Sequence, residues 1–463
     1  MAGKKHYAVR QVELIYINDG LRRVLKDTIA IFRDALGFLC DVALQEWDTL
    51  APLSTKGRLT AMERLVHQTK QNPAPKYGTF DGKFPKLPSY LRRAAINAST
   101  GAVSSYKTRL ADYEGRKHAA MSDGKRFRER PPKFAASAAC ISLYKEVFSR
   151  SGKEVRIKVH IRNTWDWVRV AIAGRDWKDL EDALRFAKNA GSPSLVYKNH
   201  KFYLVFPIEY ACLGFPDVPL ERQTILAVDL GVNHGAVCSA MDAFGNILGR
   251  AFDPFYRERN ALDGCIRAIR HVQKKSGAGQ EISAVYQKLD GLKWNYVRQL
   301  AHWVVQQARQ RGAYGIVLEY LGKMKGRGGK KDRIHHWCKA AIRDLVKGMA
   351  FRYGIRVFLV NPKNTSRLAY DRSGEVCRDK DNFSLCTFAS GKRYASDLSA
   401  SYNIGARYFL RAMQKAMASE SWEQVTAEVP ELATRTACTL STLWKVSRIC
   451  WGTPEAAGKA DAA

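Results

Sequence analysis

One stretch, Thr224–Asn233 (T-I-L-A-V-D-L-G-V-N), constrains this chain more than any other. Ile225 to Val228 is an unbroken apolar run that ends in a carboxylate, Asp229, with Gly231 two positions on. Such a run reads as a strand buried on both faces, inside a sheet covered by helices. A carboxylate at its end is expensive to bury unless it is paired or holds a metal. Two further acids stand in comparable settings. Glu319 ends the run G-I-V-L-E-Y, and Asp397 opens a helical pattern, S-D-L-S-A-S-Y-N-I-G-A-R. Read together, the three acids make one metal site suited to cutting phosphodiester bonds.

The surrounding pattern supplies a topology. Strand Thr224–Val232 is followed by G-A-V-C-S-A-M-D, a turn at Ala243–Asn246 and I-L-G-R-A-F, an antiparallel meander. Residues 255–311 read as helical and positive, with Arg267, Arg270, Lys274, Lys275 and Lys288. Next come the strand Gly315–Leu321, a helix from about 335 to 353, the strand I-R-V-F-L-V-N-P and a last helix from Asp397 to Met413. This is the element order of an RNase H-like fold. Right-handed crossovers would then set the strand of Glu319 parallel to, and beside, the strand of Asp229. Carboxylates converging from two strands and a helix suit Mg²⁺, which keeps several waters and a substrate phosphate as its other ligands. Two such ions about 3.5–4 Å apart activate a water and neutralise the leaving oxygen. Asp397 also lies at the positive end of its helix dipole. Any one of these acids alone reads as a cap or a salt-bridge partner. Their occurrence at matching points of one topology is what favours a metal site.

Charge narrows the partner. The 463 residues carry 76 Lys+Arg against 44 Asp+Glu, a net +32, with an ordinary hydrophobic fraction of 46%. A surface that basic is stable beside a polyanion, and nucleic acid is the expected one. A ribosomal or chromatin packing protein would explain the charge equally well. Ten cysteines are scattered with no C-x-x-C pair, as expected for reduced thiols in a cytoplasmic, nucleoid-associated bacterial protein. No signal pattern and no apolar run of about 18 residues occurs, so a membrane partner is not expected.

Upstream, residues 6–18 alternate, with Val9, Val12, Leu14 and Tyr16 as the apolar set, and Asn18-Asp19-Gly20 reads as a turn. From Leu21 to about Ala120 the pattern is helical, with a stripe of Leu25, Ile29, Ile31, Phe32, Leu36 and Leu39. After a Pro/Gly/Lys-rich connector (73–88), one long helix carries Arg92, Arg93, Lys107 and Arg109 as candidate nucleic-acid contacts. The stretch 124–134, G-K-R-F-R-E-R-P-P-K-F, interleaves Lys125, Arg126, Arg128 and Arg130 with aromatics, a pattern suited to tracking phosphates and stacking bases, or to a plain linker. Short strands C-I-S-L-Y, E-V-R-I-K-V-H-I, W-V-R-V-A-I-A, S-L-V-Y-K and K-F-Y-L-V-F-P-I follow. They predict a small antiparallel barrel whose first strand is separated from the rest by helices. The expected organisation is the first barrel strand (1–20), a helical insertion (21–129), the rest of the barrel (130–215), a nuclease domain (216–415) and a helical tail (416–463) with a disordered end.

The residues V-D-L-G-V-N, V-L-E-Y-L and N-T-S-R…D-L-S-A-S-Y-N-I-G-A-R resemble the three-part RuvC nuclease signature of transposon TnpB proteins and the compact type V CRISPR effectors related to them. The resemblance is specific over 224–415. It is looser upstream, where the interrupted barrel and its insertion are similar to the family's wedge and recognition domains, giving an α+β multidomain chain. It implies that Asp229, Glu319 and Asp397 are the catalytic, Mg²⁺-binding acids. It implies a guide RNA, double-stranded target DNA, and a barrel that reads a short motif beside the target while base pairing reads the rest.

The chain departs from the family in one respect. TnpB proteins carry two C-x-x-C zinc knuckles between the second and third acids. Here those positions align with Ala369, Arg372, Thr387 and Ser390, and only Cys377 and Cys386 remain. Two thiols do not make a four-ligand site, so no zinc is expected and the region 364–395 reads as a metal-free β-hairpin turning at Ser373-Gly374. The Gly-rich basic stretch 322–333, with Lys323, Lys325, Arg327, Lys330 and Lys331, reads as a nucleic-acid-binding lid or a surface loop. His234 and His335-His336-Trp337 fit turn, capping or stacking roles better than metal ligation. Three functions stay open: RNA-guided cutting, RNA-guided repression without cutting, and RNA packaging. A homodimer or a large structured RNA would supply surface that a single small copy lacks.

Overall fold

The computed structural model describes residues 6–124, 126–134, 140–211, 214–231, 235–274, 279–320, 330–379, 381–382 and 384–452, with backbone alone at 6, 273–274, 279–282 and 330–337. Two compact units divide the chain at 211/212.

The first unit begins with β1 (His6–Ile15). Helices α1 (Asp19–Gln45), α2 (Trp47–Leu50), α3 (Thr55–Val66), α4 (Thr79–Lys83) and α5 (Ser89–Ser122) follow. The sheet resumes with β2 (Ile141–Ser142), β3 (Phe148–Ser151), β4 (Glu154–Ile161) and β5 (Thr164–Ile172). Helix α6 (Gly174–Arg185) then precedes β6 (Ala187–Ala190), β7 (Ser194–Lys198) and β8 (Lys201–Tyr210). The strand order is β2-β7-β8-β1-β5-β4-β3, with β6 on β8. Thus β1 pairs with β8 on one side and β5 on the other, so the earliest strand is central to the sheet. The sheet is a half-barrel: among the described residues its end strands β2 and β3 do not pair.

Local chemistry explains where these elements differ from expectation. Val12 and Leu14 point into the core, but Val9 is 56% exposed and Tyr16 lies beyond the strand at 81%. A period of two cannot put Val9 on the face of Val12. Asn18 does not make a turn: its Oδ1 accepts from Leu21 N at 2.8 Å and caps α1. Helix α6 interrupts the expected run of strands. Its Leu180 and Ala183 are buried, and Asp176 accepts a hydrogen bond from Glu13 N at 2.7 Å, docking it on the end of β1. The stripe of α1 is buried as the spacing predicts, except Ile31, and packs along α5 and β4.

The second unit holds β9 (Thr224–Asp229), β10 (Val237–Asp242), β11 (Ile247–Phe252), α7 (Tyr256–Lys274), α8 (Gly279–Gln310), β12 (Gly315–Glu319), α9 (Lys330–Arg352) and β13 (Arg356–Val360). Then come β14 (Cys377–Arg378), β15 (Leu385–Thr387), β16 (Arg393–Ala395), α10 (Ser396–Ala416), α11 (Ser419–Glu428) and α12 (Leu440–Trp451). The main sheet runs β11-β10-β9-β12-β13; β9 to β11 form an antiparallel meander, and β12 is parallel to both β9 and β13.

Both faces of the inner strands β9 and β12 are buried, and alternation sorts the side chains. Leu226, Val228, Ile316 and Leu318 pack into the cluster formed with α7, α8 and α9. Ile225, Ala227 and Val317 pack into the opposite cluster, with α10 and α12. Gly405 allows α10 to close on that face. A Cβ there would lie 3.1 Å from the Met241 side chain and 3.2 Å from Ala227 Cβ. The C-terminal helices brace the same layer. Trp444 Nε1 donates to Gly245 O at 3.1 Å, and Trp451 packs edge-on against Phe244.

The segment expected as a hairpin is a three-stranded meander, β14-β15-β16. Its interior is a small apolar core of Ala369, Cys386 and Phe388, walled by Tyr370, Val376 and Tyr394.

Candidate active site

Asp229 is the last residue of β9 and Glu319 the last of β12. The parallel register pairs Val228 with Leu318, so the next step along both strands brings the two acids side by side, about 5 Å apart at the backbone. Both fall on the odd-numbered face, which carries Ile225, Ala227 and Val317 and is covered by α10. Asp397 is the second residue of α10 and is buried, as is Asp229. One sheet face and one helix start therefore bring together acids that are 90 and 78 residues apart in sequence (319 − 229; 397 − 319).

The electrostatics agree with this placement. Burial pushes the Asp229 carboxyl well above the usual carboxylate range, and the charges of Glu319 and Asp397 push it further; Lys339 and Arg378 offset part of the shift. Burial likewise raises Glu319, against the lowering effects of the Thr365 hydroxyl, Lys339 and Arg407. Three acids crowded with too little countercharge are a site that gains by taking up a cation. The donor set is all hard oxygen, which fits Mg²⁺ or Mn²⁺. Among the described residues, however, no three carboxylate, imidazole or thiol groups are already gathered closely enough to hold a metal ion. The acids are neighbours, but not a preformed cage. Mg²⁺ does not require one, since it commonly binds through one or two carboxylates plus water and phosphate.

Several groups that sequence reasoning passed over hold this site. Thr365 Oγ1 lies 2.5 Å from Glu319 Oε1, and Ser396 Oγ donates to Asp397 Oδ1 at 3.2 Å. Arg407, buried, donates to the carbonyls of Asn361, Lys363, Thr436 and Cys438. Elsewhere in the second unit, Asp253, just past β11, accepts from Phe255 N and forms a buried ion pair with Arg259 at the start of α7. The only sequence signal for that pair was an Asp-Pro before a helical pattern.

The nucleic-acid candidates divide. Arg92, on α5, is buried against Glu63, 3.9 Å away. Arg93 also pairs with Glu63, at 3.0 Å. Lys107 is half-buried, and Arg109 is exposed. Arg126, Arg128 and Arg130 are exposed along an extended segment. The aromatics of that segment are not free stacking platforms: Phe127 packs edge-on against Tyr113 and Phe134 against Tyr106, both on α5. These rings fasten the segment to the helix and leave the arginines outside. Lys125, Lys323, Lys325, Arg327 and His234 lie outside the described residues, as does residue 321 onward to 329. Lys330, Lys331 and His335–Trp337 are described only as backbone of α9. In the small meander, Cys377 pairs with Thr387 and Arg378 with Cys386, so the two thiols point to opposite faces.

A family model described as the Aq_aa04 family matches residues 9–161. No curated protein matches the chain. Among solved structures, that of a mini-RNA-guided endonuclease, CRISPR-Cas_phi3, is similar at a TM-score of 0.50 and 11% identity, covering 87% of this chain and 92% of that one. The structure of CasPhi-2 (Cas12j) bound to crRNA and phosphorothioate-DNA gives a TM-score of 0.48 at 11% identity over 87% and 91%. A Cas12f1–sgRNA–target DNA complex gives 0.31 at 14% over 86% and 98%. At such identities the first likeness speaks to the fold, a mixed α+β chain with a half-barrel sheet. The other two are too loose to carry weight. Among the described residues no helix is long and apolar enough to cross a membrane.

Proposed function

We propose that this chain is an RNA-guided DNA endonuclease that cuts by divalent-metal phosphodiester hydrolysis at a RuvC-type site. One observation carries the reading: sheet register places Asp229 and Glu319 side by side on the face whose covering helix opens with Asp397. On this reading the second unit through residue 415 is an RNase H-like nuclease domain. The half-barrel with its helical insertion would be a wedge and recognition region that holds guide RNA and double-stranded target DNA. The likeness to a mini-RNA-guided endonuclease supports the assignment at the level of fold.

Asp229, Glu319 and Asp397 would hold Mg²⁺, which when bound supplies an activated water and neutralises the leaving oxygen. The protein's own groups do the rest. Burial of Asp229 and Glu319 excludes bulk water and makes their uncompensated charge costly, which favours uptake of a cation. Lys339 and Arg378 lie within electrostatic reach of Asp229 and add positive potential for an incoming phosphate. Arg109, Arg126, Arg128 and Arg130 would hold the backbone of guide or target without reading sequence.

The alternative is guided binding that blocks transcription without cutting. The two separate in one experiment. RNA that co-purifies with the protein is sequenced, a plasmid bearing its complement is incubated with the complex and Mg²⁺, and cutting and binding are both scored. The nuclease reading expects wild type to cut and Asp229→Ala to bind without cutting. If both bind and neither cuts, guided repression replaces it.

A further inference from the structure

The segment between β13 and β14 reaches into the acid cluster through one hydroxyl. Thr365 is 1% exposed, and its Oγ1 lies 2.5 Å from Glu319 Oε1 and 2.8 Å from Pro362 O. A hydroxyl has one proton to donate, and an ionised carboxylate is the stronger acceptor. Among the described residues this is the one hydrogen bond made to the Glu319 carboxylate. The backbone carrying Thr365 is held from α10. Asn403, fully buried, donates Nδ2 to Thr365 O at 3.0 Å and to Leu368 O at 2.9 Å, and accepts at Oδ1 from Leu440 N at 3.1 Å. Asn403 lies less than two helical turns beyond Asp397 on the same helix. A single rigid element thus presents one acid and anchors the residue that bonds another acid on the sheet.

We propose that Thr365 is a positioning residue whose hydroxyl, set by Asn403, orients the Glu319 carboxylate so that it and Asp397 can take a divalent cation together. This rests on the nuclease reading above and names a residue that the acid triad does not include. The physical reason lies in the geometry of Glu319. Among the described residues no other donor bonds the Glu319 carboxylate, so without Thr365 it gains freedom about its last torsion, and each unproductive rotamer weakens metal binding. A donor fixed from the same helix as Asp397 removes that freedom. Partners of this kind typically govern affinity as strongly as some ligands do.

The test uses the full chain with its co-purifying RNA. Mn²⁺ affinity is measured by calorimetry, and plasmid cutting is measured against Mg²⁺ concentration. Thr365→Val keeps the shape and removes the donor; the expectation is a roughly 10–100-fold loss of Mn²⁺ affinity, with cutting partly recovered at high Mg²⁺. Thr365→Ser restores the hydroxyl and is expected to return affinity to within about threefold of wild type. Mn²⁺ binding by Thr365→Val equal to wild type overturns the proposal while wild-type cutting still upholds the nuclease reading. A Thr365→Ser variant as weak as Thr365→Val also overturns it, because the methyl group and not the hydroxyl would then matter. Wild type that neither binds Mn²⁺ nor cuts brings down both.

Discussion

The two larger sheets of this protein meet the same problem, a charged residue on a strand or helix, and solve it differently. In the second unit both faces of β9 and β12 are covered, so a side chain goes to one helix layer or the other according to odd or even position. Asp229 and Glu319 had no freedom to be elsewhere. In the first unit the sheet and long helix have a wet side, and each cation goes where its neighbours allow. Arg92 turned inward to Glu63 and Arg109 stayed out, although both sit on α5. The difference teaches that a buried scaffold fixes functional groups by register, whereas a half-exposed one fixes them by pairing.

The comparison breaks first at the acids. On the proposed nuclease reading, Asp229→Ala is expected to lower cutting by about 10³-fold or more with target binding retained, since it would remove a metal-holding carboxylate. Cutting rates on a matched plasmid check it, and unchanged rates would detach the register from the chemistry. Next in size is the packing that brings α10 down. Gly405→Leu must displace Met241 and Ala227, and should cost about 1–3 kcal/mol of stability in a denaturant titration. A neutral result would mean that α10 is not seated as closely as the two-faced sheet requires.

The first unit predicts a split between two arginine classes. Arg92→Ala should lose about 1–3 kcal/mol of stability, because it removes a buried stem, with Glu63 keeping its pair to Arg93, while the salt dependence of nucleic-acid binding stays as it was. Replacing Arg126, Arg128 and Arg130 together by Ala should leave stability unchanged and flatten the log–log salt slope by about 2–3, at roughly 0.7–0.9 per phosphate contact. Filter binding over a salt series, beside thermal melts, tells them apart.

The smallest effect is in pH. Asp229 titrates well above its ordinary 3.8 in the folded chain. Folding therefore takes up a proton, and metal-free stability contributed by this group is full below about pH 4 and falls as pH rises through the folded value. Asp229→Asn should flatten that decline, and Mg²⁺ should offset it in wild type. Melting curves from pH 5 to 8 with EDTA or Mg²⁺ read both, and a wild-type pH dependence identical to that of Asp229→Asn would contradict the raised titration of the acid.

The parts of this protein that could be read directly from the chain follow from periodicity. Ile225 to Val228 announced a two-faced strand, Gly315–Glu319 a second, and Ser396–Ala416 a helix with an acid in its first turn. A buried run has few alternatives, so its pattern survives folding. The parts that were misread share one physical feature, a partner distant in sequence. Phe127 and Phe134 read as stacking platforms or as part of a plain linker, and only the fold shows them packed edge-on against Tyr113 and Tyr106. Helix α6 carried its i, i+3 apolar spacing in plain view but sat among strands.

What the sequence determined by itself is local: which segments are strands or helices, which residues end them, and a strong net positive charge that favours a polyanionic partner. Tertiary structure alone decided that Thr365 reaches Glu319, that Asn403 and Arg407 hold the segment doing so, and that Arg92 is spent on Glu63. The reason is that periodicity is a property of one element, whereas hydrogen bonds and ion pairs between elements depend on approach distances of about 3 Å that no single element specifies.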